Sequence, residues 1–197
     1  MRILLVTNDR LGQKRAGPAI RCIELAKVLS RYHQVAVATS QPSDLEVAGV
    51  QLIPNCLRSP KQLRTAATRS DIVVVQGLVL ALFPFLARSA RYLVVDLYDP
   101  YLLEYLAHPH PRLPGWGYRR QWYLLNKQLL RGDFFLCATE RQWHYWLGRL
   151  CALGRLTPEE YRRDPSFKSL LDIVPFGVSP DPPKHTQTVI KLSLIHI

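Results

Sequence analysis

Apolar residues in this chain fall into short runs separated by longer segments in which they recur every three or four positions. Residues 3–7 predict a strand, and Pro18 in a first turn opens a helix over 19–30 carrying Ile20, Ile23, Leu25, Ala26 and Leu29 on a 3.6-residue period. Residues 34–39 predict a second strand and 50–53 a short third, closed by Pro54. Ser59-Pro60 starts a helix through Leu63 and Ala67, with Ser59 as its cap. The β-branched run 71–77 does not alternate, which predicts a parallel strand covered on both faces. Residues 78–88 return to helical spacing, with Pro84 predicting a kink or a late start. Residues 91–96, 132–139 and 171–175 supply further strands, and a helix follows Glu140 through Trp143 and Trp146. Such strand–helix repeats with short connections predict right-handed crossovers and a doubly wound, mostly parallel α/β sheet with helices on both faces, Rossmann-like in architecture.

The pattern loosens between Tyr98 and Gly132. His108-Pro-His-Pro111 and Leu113-Pro-Gly-Trp-Gly117 exclude regular helix or strand, and an amphipathic helix is predicted over 117–131. After Gly177 the chain turns Pro-rich, which predicts the start of a linker over 179–191, following a domain over 1–178. The last six residues, 192–197, continue no earlier pattern. They are what a common sequencing adapter encodes in one frame, which predicts a tail foreign to the gene.

Composition adds bounds. With 197 residues, 48% of them hydrophobic, the chain can bury one sizeable core. Its formal charge of +11, from 26 Lys and Arg against 15 Asp and Glu, favours anionic partners without choosing among lipid, nucleic acid and phosphorylated metabolites. Cys22, Cys56, Cys137 and Cys151 lack the paired short spacings of a zinc site and predict reduced thiols in a cytoplasmic chain. No secretory-signal pattern follows Met1, and no apolar run approaches the roughly 20 residues that cross a bilayer, so a soluble or peripheral protein is expected.

Three loops carry candidate chemistry. Thr7, Asn8, Gly12 and Gly17 surround the mouth of the first strand, where backbone N–H groups and the positive end of the next helix can meet a polar ligand; these glycines can equally serve the chain path alone. Lys14, Arg15 and Arg21 favour an anionic or richly hydroxylated ligand there. The spacing matches neither the dinucleotide fingerprint nor the P-loop, which argues against a nicotinamide oxidoreductase. Asp96, Tyr98, Asp99 and Glu104 follow an interior strand, where open sheets place ligands; Asp96 and Asp99 are candidate catalytic carboxylates, or caps of the following helix. Glu140 is either a polar rim residue or the first-turn acid of its own helix. His108, His110 and His144 lack a metal-binding spacing, and no metal site is expected. Between residues 112 and 131 five basic residues, Arg112, Arg119, Arg120, Lys127 and Arg131, stand without an acid and interleave with Trp116, Tyr118, Trp122 and Tyr123. This favours an anionic membrane surface, with nucleic acid unlikely because no nucleic-acid motif accompanies it, and a solvated face or protein interface as the remaining readings.

The start Met-Arg-Ile-Leu-Leu-Val-Thr-Asn8, the stretch from Ala16 to Leu29, Val94-Val-Asp-Leu-Tyr-Asp-Pro100 with Glu104, and Val174-Pro-Phe-Gly177 together resemble the amino-terminal half of bacterial glycosyltransferases of the family 4 type. The resemblance covers residues 1–183. It implies one half of a GT-B arrangement, the acceptor-side Rossmann-like domain, with the donor-binding domain absent from this chain. It further implies a nucleotide-sugar substrate rather than a tightly bound cofactor, a glycan or lipid-linked cell-envelope acceptor, and work at the inner face of the membrane. Gly12 to Gly17 would correspond to the glycine-rich loop facing donor phosphates and acceptor. Asp96 or Asp99 would stand where many members carry a catalytic histidine, and Glu140 where members place a polar cleft residue. Without the second domain, the isolated chain is expected to be inactive.

Overall fold

The structure, a computed structural model, describes residues 1–12, 16–56, 58–107 and 114–177. The chain runs β1 (Arg2–Thr7), α1 (Gly17–Ser30), β2 (Gln34–Thr39), β3 (Val50–Ile53), α2 (Pro60–Arg69), β4 (Ile72–Gln76), α3 (Val79–Leu82) and α4 (Leu86–Ser89). It continues through β5 (Leu93–Asp96), α5 (Tyr101–Ala107), α6 (Pro114–Arg131), β6 (Phe134–Cys137), α7 (Glu140–Ala152), α8 (Pro158–Arg163) and β7 (Leu171–Ile173). The strands form one sheet of order β3-β2-β1-β4-β5-β6-β7, and every neighbouring pair is parallel. All seven strands therefore deliver their carboxyl ends to one edge. Sequence order reverses between β1 and β4, which opens a crevice there.

The strand residues explain why both faces are covered. Leu4 and Val6 of β1, Val73 and Val75 of β4, and Leu93 and Val95 of β5 pack into one core with residues of α2, α6 and α7. Ile3 and Leu5 of β1, with Val35, Val37, Val74 and Val94, pack into a second core against Ala19, Cys22, Ile23 and Ala26 of α1. Burying each such side chain contributes about 1.5–3 kcal/mol, so neither face tolerates polar substitution. This is the doubly wound, Rossmann-like fold expected.

Local departures have local causes. Pro84, which cannot donate a backbone hydrogen bond, divides residues 78–88 into the single turns α3 and α4 rather than one kinked helix. Regular structure also begins earlier than expected after the His-Pro segment. Residues 114–117 form the first turn of α6, because a proline at a helix start loses no bond the helix would have made. Ser59 occupies the cap position of α2 but its side chain makes no capping bond, so Pro60 sets that start. The helix α8 was not anticipated, although its signal is plain: the Thr157 hydroxyl accepts the backbone N–H of Glu160 at 3.2 Å ahead of Pro158 and two acids. All four cysteines are free; Cys22, Cys56 and Cys137 are buried and Cys151 is exposed. Among the described residues no helix is long and apolar enough to cross a membrane. Lys14, Arg15, His108, His110, Arg112 and the expected linker and tail lie outside the described residues.

Gly132 turns α6 into β6 at a close approach. A Cβ there would lie 2.6 Å from Cε1 of Phe135 and 2.9 Å from Cγ2 of Val95, both in the core. Gly132→Ala is expected to cost about 1–3 kcal/mol by overpacking, read as a lowered urea midpoint with an unchanged slope. An unchanged midpoint would contradict the approach.

Candidate functional site

A cleft of about 510 Å³ opens at the carboxyl ends of β1, β4 and β5, beside the point where strand order reverses. Thr7, Asn8 and Asp9 after β1, Gln76, Gly77 and Leu78 after β4, and Tyr98 and Asp99 after β5 form its base. Tyr101, Glu104 and Tyr105 of α5, Gln121 of α6 and Pro18 of α1 form its walls. Gly77 makes the turn out of β4 in the left-handed region, φ 67°, where a side chain would be strained. Its carbonyl accepts Nε2 of the buried Gln128 at 3.0 Å, which fixes the turn against α6.

Beneath the base runs a polar chain linking strands distant in sequence. The Thr7 hydroxyl donates to Oε1 of Gln76 at 2.9 Å, and Nε2 of Gln76 donates to Asp96 at 3.4 Å. Both Asp96 oxygens accept from Arg21, from Nε at 2.8 Å and Nη2 at 3.0 Å, in the bidentate geometry that matches a guanidinium to a carboxylate. Nη1 of Arg21 donates to the Val174 carbonyl at 2.8 Å, and the guanidinium lies 5.6 Å from the Tyr98 ring centroid. Arg21 and Asp96 are 2% and 1% exposed. Burial pushes the Asp96 carboxyl up, and Arg21 offsets part of that rise.

The acids in the cleft have a different setting. Burial, the neighbouring Glu104 carboxyl and Asp9 together push Asp99 up to about 7. Asp9 is also raised, chiefly by burial, with the Ala19 backbone N–H at the start of α1 opposing the rise. The end of α1 expected to meet a ligand is thus faced by the protein's own carboxylate. Among the described residues, no Lys, Arg or His lines the cleft.

The structure brings Asn8, Tyr98, Asp99 and Glu104 together at the cleft. Asp96 and Arg21 lie under its floor, paired with each other, so Arg21 offers no free charge to a ligand and Asp96 no free oxygen. Gly17 begins α1 beside Phe176, whereas Gly12 is buried near Asp44. Glu140 is exposed as the first residue of α7, whose cap is Thr139. It does not line the cleft, but its neighbour Gln142 donates to the Tyr98 carbonyl at 2.6 Å and holds that loop. Asp9, Gln76, Tyr101, Tyr105 and Gln121 were missed. Asp9 adjoins Asn8, Gln76 is the polar end of an apolar strand, and the two tyrosines sit one helical turn apart, so three elements carried a local signal. Gln121 carried none.

Outside the cleft, α6 exposes Trp116, Arg119, Arg120, Trp122, Tyr123 and Lys127, with Lys127 4.6 Å from the Tyr123 ring centroid. Leu103 and Leu106 of α5 are exposed beside them in sequence order.

No protein-family model and no curated protein matches the chain. Among solved structures, sucrose-phosphate synthase from Thermosynechococcus elongatus is similar, with a TM-score of 0.56 and 10% identity over 88% of this chain and 47% of that chain. An alpha-glucosyltransferase in complex with UDP aligns at 0.47 and 13% identity, over 71% of this chain and 35% of that one. A short-chain dehydrogenase/reductase from Veillonella parvula in complex with NADP aligns at 0.43 and 16% identity, over 70% and 69%. At these identities the likeness is one of fold. This chain spans about half the length of the synthase.

Arg21→Met strands a buried carboxylate and is expected to cost about 3–5 kcal/mol at neutral pH. Without the guanidinium the native state binds the Asp96 proton more tightly than the unfolded state does, so stability of the variant falls as pH rises. Denaturation should therefore show a smaller loss at pH 5 than at pH 8, and Arg21→Met with Asp96→Leu should recover most of it. A loss independent of pH would mean that Asp96 is not the group left uncompensated.

Proposed function

We propose that this chain is the acceptor-side domain of a glycosyltransferase that moves a sugar from a nucleotide-sugar donor to a cell-envelope or polysaccharide acceptor. One observation carries the reading. Of the four segments that resemble family 4 glycosyltransferases, far apart in sequence, three line one cleft, through Asn8, through Pro18, and through Tyr98, Asp99 and Glu104, and the fourth is tied beneath its floor by the bond from Arg21 to the Val174 carbonyl. The likeness in fold to roughly half of a sucrose-phosphate synthase supports it.

In this reading the acceptor occupies the cleft. Its hydroxyl attacks the anomeric carbon of the donor sugar, the bond to the nucleotide diphosphate breaks, and the hydroxyl proton passes to a base. Asp99, held near 7 and facing the cleft, is suited to take that proton; Asp96, locked to Arg21, orients the loop that carries it. Departure of the diphosphate needs positive charge and exclusion of water. Both are assigned to a second lobe, with Arg15 as this chain's contribution. The nucleotide sugar binds and leaves as substrate, and no tightly bound cofactor is involved.

The exposed face of α6 supports work at the cytoplasmic face of an anionic membrane, the tryptophans and Tyr123 seated among headgroups and the cations on lipid phosphates. That charge also fits nucleic-acid phosphates, and the absence of a nucleic-acid motif favours lipid.

Transfer by this chain should be negligible beside that of a parent carrying the donor lobe; equal rates would refute the reading. In the parent, Asp99→Asn should lower kcat by about 10²–10⁴-fold, the range for loss of a general base. Vesicles containing anionic lipid should sediment the chain at low salt. Replacing Arg119, Arg120 and Lys127 with Ala should weaken binding by about 100-fold, given about 1 kcal/mol per basic residue. Binding indifferent to the triple replacement, or preference for single-stranded nucleic acid, would remove the membrane role.

A further inference from the structure

We propose that the cleft selects a ring bearing a protonated amine, an amino sugar in chemical class, and disfavours phosphorylated or carboxylated rings. The inference rests on the cleft being the acceptor site. Three buried polar atoms of its lining have no hydrogen-bond partner among the described residues: Oδ2 of Asp9, Oε1 of Gln121 and the Tyr101 hydroxyl. Two are acceptors only, and a buried acceptor left unpaired costs about 1–3 kcal/mol, so the missing partner is a donor. An ammonium brings three donors and no acceptor, whereas a phosphate dianion brings only acceptors.

Charge points the same way. Asp9, Asp99 and Glu104 line the cleft, with no cation among the described lining residues, and Arg21 beneath its floor is spent on Asp96. The start of α1, where an anion would gain from backbone N–H groups, is faced by Asp9 instead. Tyr98, Tyr101 and Tyr105 line the cleft as well, an aromatic lining suited to the apolar side of a sugar ring and to an ammonium. A divalent cation is a poorer occupant, since no group of three or more His, Cys, Asp or Glu among the described residues is arranged to hold a metal.

The test is a titration of the 197-residue chain at pH 7 with glucosamine, glucose and glucose 6-phosphate, followed by changes in tyrosine-ring NMR signals. Glucosamine should bind at least tenfold more tightly than glucose 6-phosphate, with glucose between. Asp9→Asn and Asp99→Asn should each reduce the preference for glucosamine over glucose by about fivefold or more, with unchanged far-ultraviolet circular dichroism; if one variant does not fold, the other decides. Binding of the phosphate as tight as that of the amine, no binding of glucosamine, or an unaltered preference in a folded variant would overturn the proposal. The two readings fail separately. Transfer by the parent to neutral acceptors without amine preference here removes the selectivity alone, and amine binding here with no transfer by the parent removes the transferase alone.

Discussion

The ion pair between Arg21 and Asp96 is the constraint on which the cleft depends. It joins the first helix to the fifth strand, reaches the Val174 carbonyl after the last strand, and through Gln76 and Thr7 connects to β4 and β1. Two charges this deeply buried gain little net stability over a matched apolar pair, because desolvation consumes most of their attraction. What the pair does fix is relative position. A bidentate contact tolerates little sliding, so the ends of four strands are set at one height beneath the cleft. Tyr98 lies over the guanidinium and Phe176 packs 6.2 Å from Tyr98, ring centroid to ring centroid, so the loop carrying Asp99 inherits that order.

Much of this was legible in the sequence because it depends on local spacing. The β-branched run in 71–77 can be covered on both faces only in a parallel sheet, and seven strand segments with intervening helices leave few topologies. Asn8, Tyr98, Asp99 and Glu104 were legible for the same reason: strand ends locate the crevice. The rest needed tertiary pairing. Arg21 sits within the buried stripe of Ala19, Cys22, Ile23 and Ala26, which is a sign that a buried partner exists. Nothing local says that the partner is Asp96, 75 positions away. It therefore looked available to a ligand when it is a structural cation. Gln121 reaches the cleft only because α6 folds back across α5, and no periodicity reveals which helix a glutamine will face.

Charge in this molecule is sorted rather than spread. The chain is strongly basic overall, yet the described lining of its cleft holds three carboxylates and no cation. Net charge therefore describes the outer surface and misdescribes the site. Among the described residues, exposed cations gather on α6 as Arg119, Arg120 and Lys127 and on α2 as Lys61, Arg64 and Arg69. Low-dielectric walls concentrate the field of whatever charge lines a cleft, so the half-buried Asp9 and Asp99, with Glu104 at the rim, act on a bound ligand more strongly than distant surface cations screened by salt.

The helix α6 couples these two regions mechanically. Gln121 and Gln128 face inward, the first lining the cleft and the second holding the turn at Gly77, while Arg119, Arg120, Tyr123 and Lys127 face outward on the same helix. A surface engaged by the outward residues thereby acquires a fixed distance and direction to the cleft, without any hinge between them. An 18-residue helix packed on a sheet transmits position far better than a loop. For a ligand presented at such a surface, that rigidity turns the search for the cleft from three dimensions into a choice of rotation about one helix.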